Sequence, residues 1–147
     1  MLNNVFDPGR IKLNLEGTTK NDVFGELIET IAGANSEFDR QELLEAIIMR
    51  ESKMNTLILP GIAVPHGYCS TVHGIIGAIG FSRRGVEYDN LDQSPVHLFF
   101  LLLMDQSSRE QHLKVLNRLL ELLKSTTFAR IEELETPQDV YNFICHY

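Results

Sequence analysis

The chain has 147 residues, of which 44% are hydrophobic and 22% are charged. This length and composition predict one globular domain over residues 1–147, long enough to bury a hydrophobic core. The 13 Lys and Arg residues against 20 Asp and Glu give a net charge of -7, which argues against binding to nucleic acid or to anionic lipid.

The apolar runs and the cysteines exclude further classes. The run 98–104 is far shorter than the roughly 20 residues that span a bilayer, and no charged-then-apolar leader opens the chain. We therefore expect no membrane insertion. Cys69 and Cys145 lack the paired spacing of a zinc site or a disulfide framework, so we expect reduced thiols in a cytoplasmic protein.

The first third of the chain predicts one strand and two helices. Ile11, Leu13 and Leu15 alternate with polar residues, as in a short strand. The next apolar residues recur at three-and-four spacing after Thr19 and predict an amphipathic helix that ends near Gly33: Val23, Phe24, Leu27, Ile28 and Ile31. A second helix is predicted over 39–51, with Arg50 in its last turn and four residues buried: Leu43, Leu44, Ile47 and Ile48.

The middle of the chain is strand-like. Residues 55–67 hold two glycines, two prolines and several β-branched residues, which predicts a short strand between tight turns, with His66 at its exposed end. The runs 75–81 and 96–104 predict two more strands, the second covered on both faces. Residues 85–95 are their polar connector.

Two more helices are predicted near the end of the chain. Ser107 stands three residues before Glu110, as in a capping box. The helix that follows is predicted to direct His112 and four leucines inward: Leu113, Leu116, Leu120 and Leu123. Thr136 opens a final helix that buries Val140, Phe143 and Ile144. Helices that alternate with strands in this way predict an α/β domain.

His66 is the strongest candidate for a chemical role. Pro65 fixes the backbone before it and Gly67 removes side-chain bulk after it, so the imidazole is presented with open space beside it. A neutral imidazole is a competent nucleophile near neutral pH, because its ordinary pKa is about 6.5. His66 is therefore able to accept and release a phosphoryl group.

Phosphoryl transfer also needs groups that stabilise charge on the phosphoryl oxygens. Arg50 is the candidate cation, because its guanidinium can meet two oxygens at once and it ends the helix that leads into the His66 segment. His112 is a candidate second donor near the positive end of a helix.

Each of these residues also has an ordinary interpretation. A single His is more often a surface residue or a satisfied core residue than a nucleophile. His112 would then be a partly buried helix residue, and Arg50 a solvated one that pairs weakly with a carboxylate such as Glu51. A hydrolase that uses Cys69 or His73 beside His66 is a further alternative, although no nucleophile with a base and an orienting residue is recognisable by spacing.

Taken together and in order, these residues resemble the type-2 enzyme IIA domains of the bacterial phosphoenolpyruvate-dependent sugar phosphotransferase system. This is the mannitol and fructose class with its nitrogen-regulatory relatives. In that family an Arg-Glu pair closes a helix, followed by a Thr and by a Gly-Ile-Ala-aliphatic-Pro-His-Gly run, which match Arg50-Glu51, Thr56 and 61–67. A His-Leu-x-x-Leu helix after a long apolar strand matches 112–116. The resemblance covers nearly the whole chain.

The resemblance implies a cytoplasmic phosphoryl carrier. His66 would accept a phosphoryl group from the phosphohistidine of HPr, or of its nitrogen-branch equivalent, while Arg50 and His112 stabilise the group in transfer. The acceptor would be a sugar-specific IIB component. The implied fold is a mixed sheet of about five strands flanked by helices. No metal or other cofactor is implied, because the donor is another protein.

Two features bear on the branch of the family. Residues 86–92, which lead into Pro95, look more like the fructose and nitrogen-regulatory branch than the mannitol branch. The chain has Leu59 and Pro60 where the family usually has Gly and Asn, and Leu57 where Gly often follows the Thr. These departures stiffen the approach to His66. An alternative function is a nitrogen-regulatory enzyme IIA that binds a regulatory target protein according to its phosphorylation state.

Overall fold

The structure, a computed structural model, describes residues 1–88, 94–123 and 127–146. Within them lie six strands: β1 (Ile11–Lys12), β2 (Leu57–Leu59), β3 (Ile62–Ala63), β4 (His66–Tyr68), β5 (Ile75–Val86) and β6 (Val96–Met104). Five helices accompany them: α1 (Lys20–Ala32), α2 (Arg40–Lys53), α3 (Arg109–Leu123), α4 (Thr127–Glu133) and α5 (Pro137–Cys145).

The strands form one open, mixed sheet in the order β1-β5-β6-β3-β2, and β4 also pairs with β6. The long strands β5 and β6 are antiparallel, whereas β1 runs parallel to β5, and both β3 and β4 run parallel to β6. This architecture confirms the α/β fold and the mixed sheet of about five strands flanked by helices that the sequence predicted.

Strand β6 is the centre of the core, as its apolar run predicted. Its even-numbered residues from 98 to 104 pack against α3, α5 and the N-terminal residues, while 99, 101 and 103 pack against α1 and α2. Successive side chains of a strand point to opposite faces, so a strand covered on both sides is apolar at every position. All seven of these residues are fully buried.

Side-chain caps start three helices where the sequence predicted them. The Thr19 hydroxyl accepts a hydrogen bond from the Asp22 N–H at the start of α1, and Asp39 accepts from two N–H groups at the start of α2. Thr136 caps α5 in the same way. None of the helices within the described ranges combines the length and the apolar character that crossing a membrane requires.

The segment 55–67 differs from the prediction of a single short strand. It forms β2, β3 and the start of β4, because Gly61 takes a positive φ of 81° and reverses the chain between β2 and β3. Pro65 has no N–H to donate, and it separates two segments that both pair with β6. At the other edge of the sheet, β1 ends at Lys12, although the Leu15 N–H still donates to the Phe81 carbonyl of β5 at 3.1 Å.

His112 and Leu123 of α3 are buried as predicted, but the rest of its buried face was predicted one residue out of phase. The residues that pack inward are His112, Val115, Leu119, Leu122 and Leu123, while Leu113 is 55% exposed. Leu116 and Leu120 lie at the border of that face. Both sets of residues follow three-and-four spacing, so spacing alone did not distinguish them.

Helix α4 was not predicted, and β5 extends to Val86, into the predicted connector. Residues 89–93 of that connector lie outside the described residues.

Candidate functional site

His66 is held at a fixed point beside the central strand. It is the first residue of β4 and lies opposite Leu102 of β6, whose N–H donates to the Pro65 carbonyl at 2.9 Å. Val64 and Pro65 are buried, whereas the His66 side chain is partly exposed. The backbone is therefore fixed while the imidazole stays accessible.

The hydrogen bond of the His66 ring determines which nitrogen is free. Nδ1 lies 2.9 Å from the Val64 carbonyl oxygen, and a carbonyl only accepts, so Nδ1 carries the hydrogen. In the neutral ring the lone pair is then on Nε2. Burial lowers the pKa of His66, and the positive charge of Arg50 lowers it further. The bond to Val64 and the charge of Glu51 act in the opposite direction. The balance favours the neutral, nucleophilic ring.

His112 lies directly beside His66. It is the fourth residue of α3, only 7% exposed, with its ring centroid 4.8 Å from that of His66. Its Nε2 is buried and has no hydrogen-bond partner among the described residues. Burial, followed by the charges of His66 and Arg50, lowers the pKa of His112 to about 4. A neutral imidazole nitrogen without a partner is rare in a protein interior, so it is available for a ligand at this site.

Arg50 lines the same site from the end of α2. Its Nη1 donates to the Met54 carbonyl at 2.8 Å. Arg50, Thr56 and His66 share a pocket of about 210 Å³, whose apolar wall includes Leu57, Ile58, Val64 and Leu116. The alternative interpretation paired Arg50 with a carboxylate such as Glu51. In the structure, the Glu51 carboxylate contacts Lys20 and Thr56 instead.

Gly67 allows β4 to approach α2. A Cβ built on Gly67 would lie 2.8 Å from both the carbonyl carbon and the oxygen of Ala46. Such a contact is too short for any side chain, so only glycine permits this distance between strand and helix. The glycine of the His66 motif therefore brings His66 towards the helix that carries Arg50.

The start of α3 differs from the predicted capping box, because the Ser107 hydroxyl donates to Asp105. A 3-10 turn over Gln106–Ser108 precedes α3, and Asp105 organises it. The Asp105 carboxylate accepts hydrogen bonds from the hydroxyls of Ser107 and Ser108 and from the Gly74 N–H, at 2.7 to 3.0 Å. These bonds, led by that of Ser108, lower the pKa of Asp105 to about 2. An Asp directly after a buried strand and before two serines was the signal for this turn.

The structure gives no support to a hydrolase that uses Cys69 or His73 beside His66. Cys69 is 5% exposed, and its thiol donates to Glu42 at 3.3 Å and lies 3.1 Å from the Thr71 hydroxyl. His73 is exposed. Within the described part of the chain, no three His, Cys, Asp or Glu side chains are grouped so as to hold a metal ion. The site consists of two histidines and one arginine.

The chain is similar to characterised proteins over nearly its full length. The family model described as "Phosphoenolpyruvate-dependent sugar phosphotransferase system, EIIA 2" matches residues 4–147. The nitrogen regulatory protein of Pseudomonas aeruginosa is 30% identical over 144 residues, which is 97% of this chain and 94% of that protein. The fructose-specific EIIABC component of Bacillus subtilis is 40% identical over 113 residues, or 77% of this chain. The match spans only 18% of that longer component.

Solved structures show the same fold. The nitrogen regulatory protein IIA-Ntr from Neisseria meningitidis superposes with a TM-score of 0.87 at 23% identity, covering 97% of this chain and 98% of that one. The enzyme IIA of the mannitol system of Escherichia coli, in a complex with its phosphorylated enzyme IIB, gives 0.80 at 17% identity over the same shares. These comparisons extend to both the sugar and the nitrogen-regulatory members of one family.

Proposed function

This chain belongs to the EIIA 2 family of the phosphoenolpyruvate-dependent sugar phosphotransferase system, and from that premise we propose that it is a phosphoryl carrier whose phosphorylated atom is His66 Nε2. Residues 1–147 form one domain with this activity. The observation that carries the proposal is the pair of histidine rings 4.8 Å apart, in which the lone pair of His66 Nε2 is free and His112 Nε2 has no partner among the described residues.

The transfer proceeds as a displacement at phosphorus. The lone pair of His66 Nε2 attacks the phosphorus of a donor phosphohistidine, so that the new N–P bond forms as the donor N–P bond breaks. The hydrogen on Nδ1 stays in place, and the Val64 carbonyl that accepts it stabilises the positive charge that develops on the ring. The reverse displacement, by the nucleophile of an acceptor, regenerates the neutral His66.

Arg50 and His112 stabilise the phosphoryl oxygens during transfer. Arg50 supplies a fixed positive charge and several N–H donors from the end of α2. His112 donates from Nε2 in its neutral form, because its pKa of about 4 keeps it uncharged near pH 7. The phosphoryl group thereby satisfies a buried nitrogen that otherwise has no partner among the described residues.

The partners follow from the family. The donor is phospho-HPr or its nitrogen-branch equivalent, and the acceptor is the IIB component of a sugar transporter. The mannitol relative whose structure contains both an enzyme IIA and a phosphorylated enzyme IIB supports such an acceptor. A carrier supplied from phosphoenolpyruvate works in the cytoplasm.

A second candidate function is regulation. The similarity to the nitrogen regulatory protein of P. aeruginosa extends over 94% of that protein's length, which favours this candidate. In this role the negative charge added at His66 changes which target protein binds. The two functions share the same phosphorylated atom and differ in where the signal or the phosphoryl group goes.

Radiolabelling tests the phosphorylation site. Incubation with labelled phosphoenolpyruvate, enzyme I and HPr, or the nitrogen-branch equivalents, is expected to give an acid-labile phosphate on the wild-type chain and none on His66→Ala. His73→Ala, which alters an exposed histidine, serves as the matched control and should label normally. Persistent labelling of His66→Ala, or a wild-type chain that takes no label from either donor, would disprove the proposal.

An acceptor assay distinguishes the two functions. If the labelled chain gives its phosphate to a purified IIB component, sugar transport is supported. If the label is retained, and one protein binds only one of the two phosphorylation states in a pull-down with matched amounts of both, regulation is supported.

A further inference from the structure

The Glu51 carboxylate is buried directly behind the proposed phosphorylation site. The residue is only 7% exposed, although it follows Arg50 at the end of α2. Burying a carboxylate is costly unless it is paired and hydrogen-bonded. Glu51 meets both conditions, because it forms an ion pair with Lys20 of α1 at 3.4 Å and accepts two hydrogen bonds from Thr56.

The two bonds to Thr56 fix the turn that follows α2. The Thr56 hydroxyl donates to Glu51 Oε2 at 2.7 Å, and the Thr56 N–H donates to Oε1 at 3.2 Å. The Met54 carbonyl in this turn accepts the hydrogen bond from Arg50 Nη1. The direction of the Arg50 guanidinium therefore depends on a turn that Glu51 holds.

Thr56 also connects Glu51 to the nucleophile. Its carbonyl accepts a hydrogen bond from the Val64 N–H at 2.9 Å, and the Val64 carbonyl accepts from His66 Nδ1 at the same distance. A continuous series of hydrogen bonds thus runs from Glu51 through Thr56 and Val64 to the ring of His66. One buried carboxylate supports both the cation and the nucleophile of the site.

From this arrangement we propose that Glu51 is a positioning residue for phosphoryl transfer, which fixes the turn after α2 and, through Thr56, holds Arg50 and His66 in their reactive arrangement. This role rests on the proposed function of His66. Glu51 itself does not touch the phosphoryl group. Misplacement of a reacting group by about 1 Å can reduce a rate by roughly 100-fold, so a support of this kind affects catalysis without contacting the substrate.

Electrostatics provides a readout that a purely structural role would not change. The charged or titratable groups around His66 are Arg50 and Glu51 from α2 and His112 from α3, and Glu51 acts to raise the pKa of His66. Around Glu51 lie the Lys20 ammonium, which stands 4.2 Å from the Tyr88 ring centroid, and Tyr88 itself. Burial, and then the charge of Glu51, raise the pKa of Tyr88. The negative charge of Glu51 thus acts to raise the pKa of both His66 and Tyr88.

The test compares Glu51→Gln with Glu45→Gln. Both substitutions remove one negative charge from α2, but Glu45 is exposed and bonds to Gln41. NMR titration of the unphosphorylated protein should show a lower His66 pKa in Glu51→Gln than in wild type, and little change in Glu45→Gln. Phosphoryl transfer from HPr should be about tenfold slower in Glu51→Gln alone. If Glu51→Gln transfers as fast as Glu45→Gln, the proposal is overturned, even where the His66 pKa differs.

A second variant covers the case in which Glu51→Gln does not fold. Thr56→Val keeps the shape and the backbone bonds of Thr56 while removing the hydroxyl donor to Glu51. It should fold and transfer several-fold more slowly than wild type, and wild-type transfer by this variant would overturn the proposal. The two proposals fail in different experiments. If the wild-type chain takes no label, the proposed function is wrong. The titration needs no phosphoryl donor, so it tests the effect of Glu51 on His66 separately.

Discussion

The two helix ends that flank His66 are stabilised in different ways. The end of α2 is held by a buried carboxylate, Glu51, with its ion pair and two hydrogen bonds. The start of α3 is held by the partly exposed Asp105 and by an apolar helix face, and it presents His112 with an unpartnered Nε2 among the described residues. The α2 side therefore carries a fixed charge, and the α3 side carries a neutral imidazole that we propose donates to the phosphoryl group.

Removing the donor on the α3 side should have the largest effect. His112→Ala eliminates the nitrogen proposed to donate to the phosphoryl group, and loss of one such donor typically costs about 100-fold or more in rate. We expect the rate of phosphoryl transfer, measured by rapid-quench labelling, to fall by that amount while the label remains on His66. Gln111→Ala, at the exposed neighbouring position, is the control. Transfer at the wild-type rate in His112→Ala would show that the unpartnered nitrogen plays no part.

Changing the cation on the α2 side should have a smaller effect if its charge is retained. Arg50→Lys preserves one positive charge but loses the planar group that can bond to Met54 and to two oxygens together. We expect about a tenfold slower transfer, and a further loss in Arg50→Gln, which has no charge. Equal rates for the lysine and glutamine variants would mean that geometry, and not charge, is what the α2 side contributes.

The residues proposed for the site can be recognised in the sequence more easily than the residues that support them. His66, Arg50 and His112 stand in an ordered set of short motifs, and the structure places the three side by side. The pairing of Glu51 with Lys20 joins residues 31 positions apart, and nothing in a linear pattern indicates such a contact. Helix periodicity likewise leaves the phase of α3 open, because only packing against β6 decides which apolar set turns inward.

Leucine-to-alanine substitutions at two positions of α3 test which face of the helix is buried. Leu119→Ala removes a fully buried side chain and should lower the free energy of unfolding by about 3 kcal/mol, since the site cannot fully collapse around the cavity. Leu113→Ala alters a side chain that is 55% exposed. It should cost no more than about 0.5 kcal/mol. Urea denaturation of both variants measures the difference, and similar losses would contradict the observed face of the helix.

The smallest effect is expected at Asp105, which precedes the turn before α3, and it depends on pH. The hydrogen bonds of Asp105 lower its pKa from an ordinary 3.8 to about 2, so the ionised form stabilises the fold. This stabilisation is fully present above about pH 4 and is lost as the pH falls through about 2. Asp105→Asn should therefore unfold at a lower urea concentration than wild type at pH 7, and the difference should close between pH 4 and pH 2. A difference that stays constant down to pH 2 would mean that the charge of Asp105 does not support the start of α3, and that its apolar face alone positions His112.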